Sequence, residues 1–211
     1  MQIKQFVFNT FAENTYVLFD ESKEAVIVDP GCYGRDEENS LSNFIQQNDL
    51  KVVKLLNTHC HIDHVLGNYF VKNKYQVSLF IHEIEKPYLA SVTSYAPNYG
   101  FVQYHPSEAD EYFKAGENIT FGNQELEVVF TPGHSAGHVV FYHQESKQLI
   151  GGDVLFRQSI GRTDLPGGNH QQLLDSIRQK LWVLPDEVVV FPGHGPETTI
   201  GYEKKNNPFL N

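Results

Sequence analysis

Within the seven residues Thr58-His59-Cys60-His61-Ile62-Asp63-His64, four side chains can ligate a metal ion. His59 and His61 are two positions apart, so an extended or tightly turned backbone projects both to one side. Asp63 and His64 follow on the next turn and can address a second locus. Each of these groups would carry a desolvation penalty of about 1–3 kcal/mol if buried without a partner, so a folding-only account of such crowding is strained. A single histidine is more often a satisfied structural residue. Four donors at this spacing point to a metal site.

Three more segments each end a strand pattern with one donor at a sharp turn. They are Thr131-Pro132-Gly133-His134, Gly151-Gly152-Asp153 and Phe191-Pro192-Gly193-His194-Gly195-Pro196. Loops at strand ends are where functional groups gather on a rigid scaffold. Imidazole and carboxylate suit zinc, iron or manganese. Five histidines and two aspartates are enough for two divalent ions about 3.5–4 Å apart. Zinc is the first expectation, with iron and manganese also suited.

The elements that must hold these donors are mostly strands. Ile3 to Phe8, Thr15 to Phe19 and Ala25 to Val28 are short, β-rich and turn-bounded, and Asp29-Pro30-Gly31 breaks the third. Leu41, Phe44 and Ile45 lie at helical spacing with Ser40 as a candidate N-cap. Val52 to Asn57 reads as the buried strand that delivers the chain into the histidine cluster. A helix is expected over Val65 to Lys74 and a strand over Val77 to Ile81. An irregular aromatic stretch follows from Glu83 to Phe113, in which Tyr95 to Tyr104 could lie over the site or pack on the sheet. Strands resume at Ile119–Phe121, Leu126–Phe130, Val139–Tyr142 and Gln148–Ile150. A helix over about Gln171 to Leu181 and a strand over Val188 to Phe191 complete an α+β pattern, strands then helix then strands, twice over. Residues 1–211 read as a single domain.

The bulk numbers exclude other classes. The chain has 211 residues and a formal net charge of -10, from 26 acidic and 16 basic residues. Such a balance disfavours nucleic acid and anionic membranes as partners. No run approaches the roughly 18–20 apolar residues that span a bilayer, and the N-terminus lacks a signal-peptide core. Two cysteines fit a reduced compartment better than a disulfide scaffold, so a cytoplasmic protein is expected.

The segment THCHIDH resembles the His-x-His-x-Asp-His signature of the metallo-β-lactamase superfamily, and His134, Asp153 and His194 follow in that superfamily's order. The likeness runs over essentially the whole chain and implies a four-layer αβ/βα sandwich, the metallo-β-lactamase fold. By resemblance, His59, His61 and His134 would hold one metal, Asp63, His64 and His194 the other, and Asp153 would bridge, with Asp63 also orienting the attacking hydroxide. Asn57-Thr58, Gly67-Asn68, Gly161-Arg162-Thr163-Asp164, the run Pro192 to Gly201 and Asn207-Pro208-Phe209 resemble the short glyoxalase II-like branch. That branch implies a thioesterase acting on S-lactoylglutathione-like or other small acyl thioesters. Glyoxalase II proper grips glutathione with a C-terminal helical domain, which is not expected here because Asn211 follows His194 so soon. Persulfide dioxygenases, with one iron, share a THCH run and a Gly-Arg-Thr-Asp loop and form the alternative; a lactonase is a third reading. The sequence leaves oligomeric state open.

Supporting roles are expected for Thr58, which would cap the turn or steady ligands, and for His138, four residues after His134. Arg162 and Asp164 read as a structural pair fixing the metal loop, in preference to an anion-receiving arginine. Cys60 is expected to pack away from the His59/His61 face. His82, His105, His143 and His170 fit ordinary turn or surface positions.

Overall fold

The computed structural model describes residues 1–113 and 117–210. By internal contacts the chain forms two compact units, the first comprising residues 1–113 with 120–124 and the second the rest of the described chain.

The first unit carries a six-stranded sheet in the order β1-β2-β3-β4-β5-β6. Its strands are β1 Gln2–Phe8, β2 Glu13–Phe19, β3 Glu24–Val28, β4 Lys51–Leu56, β5 Leu79–Ile81 and β6 Glu111–Tyr112. Strands β1 to β3 form an antiparallel meander, whereas β3, β4, β5 and β6 run parallel. Val26, Ile27, Val28, Leu55 and Leu56 are fully buried, the continuous apolar run that a sheet covered on both faces demands. The crossovers carry α1 Arg35–Gln47, α2 Ile62–Val65, α3 Asn68–Tyr75 and α4 Lys86–Tyr95. Leu41 and Ile45 of α1 join the core, and Phe44 packs beside them.

Helix α1 starts before Ser40, the N-cap expected from the sequence. Its N-cap is Gly34, and Asp36, Glu37 and Glu38 fill the first turn. Acidic side chains there are favoured by the helix dipole, and this outweighs the capping preference of a serine one turn further on.

The second sheet has the order β14-β13-β10-β9-β8-β7. It comprises β7 Asn118–Phe121, β8 Gln124–Phe130, β9 Val139–His143, β10 Gln148–Gly152, β13 Val189–Pro192 and β14 Thr198–Thr199; a small hairpin, β11 Leu155–Phe156 with β12 Ser159–Ile160, stands apart. Strands β10 and β13 are parallel, and β8, β9 and β10 antiparallel. Helix α5 His170–Ser176, the π-helical segment Ile177–Leu181 that continues it and α6 Ile200–Asn206 cover Leu149, Val188 and Val190 with Leu173, Ile177, Leu181 and Ile200. The helix expected over Gln171 to Leu181 changes character at Ile177, where a π turn begins and the Trp182 N–H reaches the Ile177 carbonyl (2.9 Å).

Buried Glu203 of α6 accepts hydrogen bonds from the Thr198 hydroxyl, the Asn207 amide (2.8 Å) and the Gln158 backbone (3.0 Å). The C-terminal motif therefore locks α6 to the strand and hairpin beside it. Among the described residues no helix is long and apolar enough to cross a membrane.

Candidate metal centre

In the first unit the donors sit where β4 ends. The chain leaves Leu56 through Asn57, Thr58 and His59, and His61 enters α2 with extended backbone (φ -68°, ψ 153°). His59 and His61 therefore stand on irregular backbone, and Asp63 and His64 on the first turn of a four-residue helix. The His59 ring lies 4.7 Å from that of His61 at 90° and 4.2 Å from that of His64. His59 and His64 are fully buried. One ligand atom each of Asp29, His59 and His64 falls within 4.8 Å of the others, and Asp63 Oδ2 lies 3.7 Å from His64 Nε2.

A residue outside the signature organises this cluster. Asp29, closing β3 with φ 48°, accepts the Thr58 backbone N–H at Oδ1 (2.7 Å) and the Thr58 hydroxyl at Oδ2 (2.6 Å). The same Oδ2 lies 3.2 Å from His64 Nδ1, so Nδ1 carries the proton and Nε2 keeps its lone pair. Thr58 Oγ1 is also 3.0 Å from His59 Nδ1. The Asn57 amide reaches the His64 carbonyl (3.1 Å), and Asn68 holds Asn57 (2.8 Å).

Fully buried Glu13 lies behind His64, its Oε1 3.9 Å from Nδ1. Burial pushes the Glu13 carboxyl well up against the opposing influence of His64. The Cys60 thiol is buried in the core, its pKa likewise pushed up, while its backbone N–H is held by Glu85 (2.8 Å). Asp29, Glu13 and Glu85 carry no sequence signal of comparable strength. Asp29, ahead of Pro-Gly at the end of an apolar strand, was the one open to detection.

In the second unit three strand-end loops converge. Asp153 Oδ2 lies 3.5 Å from His134 Nε2 and 3.6 Å from His194 Nε2. His134 Nδ1 donates to the Arg162 carbonyl (2.8 Å); a carbonyl only accepts, so Nε2 is the bare nitrogen aimed at Asp153. Buried His138 accepts the Asp153 backbone N–H at Nε2 (3.1 Å) and has Nδ1 3.3 Å from the Thr131 hydroxyl. His138 thus fixes the loop bearing Asp153.

Arg162 touches the cluster through its backbone. Its guanidinium makes a bidentate pair with Asp164 (2.8 and 2.7 Å) on the surface, and these hydrogen bonds hold the Asp164 carboxyl down at about 2. Of the remaining histidines, His82 caps the 3₁₀ turn Glu83–Glu85, His105 stacks on Tyr69, His143 contacts Ser146 and His170 opens α5.

The donor separations test whether a metal fits. Two ligands about 2.1 Å from one tetrahedral metal stand about 3.4 Å apart. The pairs Asp153–His134, Asp153–His194 and Asp63–His64 lie at 3.5, 3.6 and 3.7 Å, beyond ordinary hydrogen bonds and at the spacing of co-ligands. With Nδ1 of His64 and His134 committed to oxygen acceptors, as metal-binding imidazoles usually are, the residues fit divalent metals.

The family profile described as the metallo-β-lactamase superfamily matches residues 9–194, and the chain belongs to that superfamily. Among similar proteins, hydroxyacylglutathione hydrolase GloC of Haemophilus influenzae is 37% identical over 213 residues, covering 100% of this chain and 99% of its own. Of solved structures, BLEG-1 B3 metallo-β-lactamase superposes with a TM-score of 0.89 at 37% identity, covering 100% of both chains. TTHA1623, solved in a di-iron-bound form, does so with a TM-score of 0.87 at 33% identity, over 98% of this chain and 100% of its own. The fold is accordingly the metallo-β-lactamase fold.

Proposed function

We propose that this chain is a cytoplasmic, dinuclear metal-dependent thioesterase acting on small acyl thioesters of the S-lactoylglutathione kind. His59, His61 and His134 would hold one divalent metal, expected to be zinc, and Asp63, His64 and His194 a second, with Asp153 bridging. The observation that carries this reading is the single Asp153 oxygen faced by two imidazole nitrogens, His134 Nε2 and His194 Nε2, at 3.5 and 3.6 Å. The 37% identity to a hydroxyacylglutathione hydrolase over the whole chain supports the thioester.

Two such metals supply a water whose pKa falls from 15.7 towards about 7 and an electrophile for the scissile carbonyl. The chain's own groups prepare the ground for that chemistry. Asp29 and the Arg162 carbonyl keep the protons of His64 and His134 on Nδ1. His138 holds the Asp153 backbone. Asp63 offers a carboxylate oxygen to accept a hydrogen bond from the attacking water. A thiolate leaving group, ionising near pH 8.5, needs no protein acid, so a thioester suits this donor set better than an amide.

The test is elemental analysis of the purified protein with parallel assays of S-lactoylglutathione hydrolysis and of glutathione persulfide oxidation. Metal-dependent hydrolysis abolished by His59→Ala is expected. One iron per chain with oxygen uptake on the persulfide would replace this reading with a dioxygenase.

A further inference from the structure

Phe11, in the turn between β1 and β2, is 40% exposed, and Tyr99, in the 3₁₀ turn Ala96–Tyr99, is 54% exposed. Scattered exposed aromatics are ordinary, but these two are not scattered. The Phe11 ring contacts Tyr99 and Phe101, each at 5.9 Å, and Tyr99 meets Tyr95 at 6.0 Å. Phe101 is buried beneath and stands edge-on to Tyr33 at 4.9 Å. The result is a tile of five rings, none carrying a formal charge, with two of them open to solvent.

The tile is tied to the proposed ligand Asp63 by two routes. The Phe11 backbone N–H donates to Asn9 Oδ1 (2.9 Å), and Asn9 Nδ2 donates to the Asp63 carbonyl (3.0 Å) and the Gly31 carbonyl (2.9 Å). The turn holding Phe11 out has Asn9 and Ala12 at φ 51° and 55°, a backbone region disfavoured for residues with a Cβ and so held in place by its surroundings. On the other side α2, which bears Asp63, packs against α4, which ends at Tyr95. Burial, and then the charge of Asp63, push the Tyr95 hydroxyl up to about 12.

We infer that the tile of Phe11, Tyr99, Phe101, Tyr95 and Tyr33 receives the apolar acyl chain of the substrate, so that the enzyme selects thioesters with aliphatic or aromatic acyl groups. This rests on the thioesterase reading above and shifts its preferred acyl group from the hydroxylated lactoyl to less polar chains. An uncharged aromatic face continuous with a metal-ligand loop offers dispersion and dehydration to a hydrocarbon chain.

The experiment measures dissociation constants by calorimetry for non-hydrolysable S-alkyl thioethers of N-acetylcysteamine, from ethyl to octyl, on the metal-loaded protein. Turnover of the matching acyl thioesters is followed in parallel. Binding is expected to tighten roughly two- to fourfold per added methylene, and Phe11→Ser or Tyr99→Ser to flatten that slope. Val183→Ser, at an exposed apolar residue outside the tile, should leave the slope intact. Melting curves check each variant's fold; Phe11→Leu, which keeps an apolar surface, should retain most of the slope. Affinity independent of chain length, or a slope unchanged in both serine variants, overturns the inference. A change of association state on sedimentation with the slope retained also overturns it, marking the tile as a self-contact. Chain-dependent binding without turnover of any thioester would instead count against the thioesterase reading.

Discussion

Asp29 serves four groups with two oxygens: the Thr58 amide, the Thr58 hydroxyl, the Asn57 side-chain amide and His64 Nδ1. Asp29→Asn would turn one of those oxygens into a donor facing another donor. A 10- to 100-fold loss of metal affinity is expected, read by competition with a chromophoric chelator, with little change in the far-ultraviolet circular dichroism. In each unit one glycine lies against the donor loops. A Cβ at Gly31 would collide with Glu13 Oε2 and come within 2.6 Å of the Asp63 carbonyl; one at Gly161 would collide with the Asp153 carbonyl and sit 3.0 Å from His134 Nδ1. Both are close approaches of backbone that cannot retreat. Gly31→Ala and Gly161→Ala are each expected to lower metal affinity and melting temperature together, whereas alanine at Gly34, where nothing lies within 4 Å, should touch stability alone because of its φ of 82°. The ligand-type residues were legible in the sequence because four donors in six positions have no common structural use. Glu13 and Glu85 were not, since each acquires its role by meeting a residue 51 or 25 positions away, a closeness only the folded chain creates; Asp29 showed only its place ahead of Pro-Gly at a strand end.

At the scale of elements, the end of β2 is pinned by Asp20, which is almost fully buried. Its carboxylate accepts the Ser22 and Asn123 backbone amides (2.9 and 2.8 Å), the Gln124 side chain (2.8 Å) and the Ser22 hydroxyl. Burial alone would raise its pKa, but these hydrogen bonds prevail and hold it at about 2. Because the folded value lies below the unfolded one, the stabilisation is complete above about pH 4 and fades as the pH falls towards 2. Asp20→Ala should therefore cost about 2 kcal/mol at pH 7, and the gap from the parent should close in urea titrations carried down through that window. The strands bearing such contacts were readable from their β-branched runs. The start of α1 and the π turn at Ile177 were not: the first depends on an acidic first turn outweighing a serine cap, and the second on how Trp182 closes onto Ile177.

For the whole molecule, the superfamily was legible in the order of its donor segments, since strand-end turns with a single ligand recur at Thr131–His134, Gly151–Asp153 and Phe191–His194. Substrate preference was less legible, because proteins 37% identical to this chain carry the names of a hydroxyacylglutathione hydrolase and of a β-lactamase. The thioesterase proposal stands on its donor set, and the metal stoichiometry of the purified protein tests that set most directly. Plasma emission spectroscopy should find about two divalent ions per chain, falling to one or fewer in Asp153→Ala together with the loss of thioester hydrolysis. A parent protein with full hydrolytic activity and one metal or none, or an Asp153→Ala variant that keeps both ions and its turnover, would contradict it.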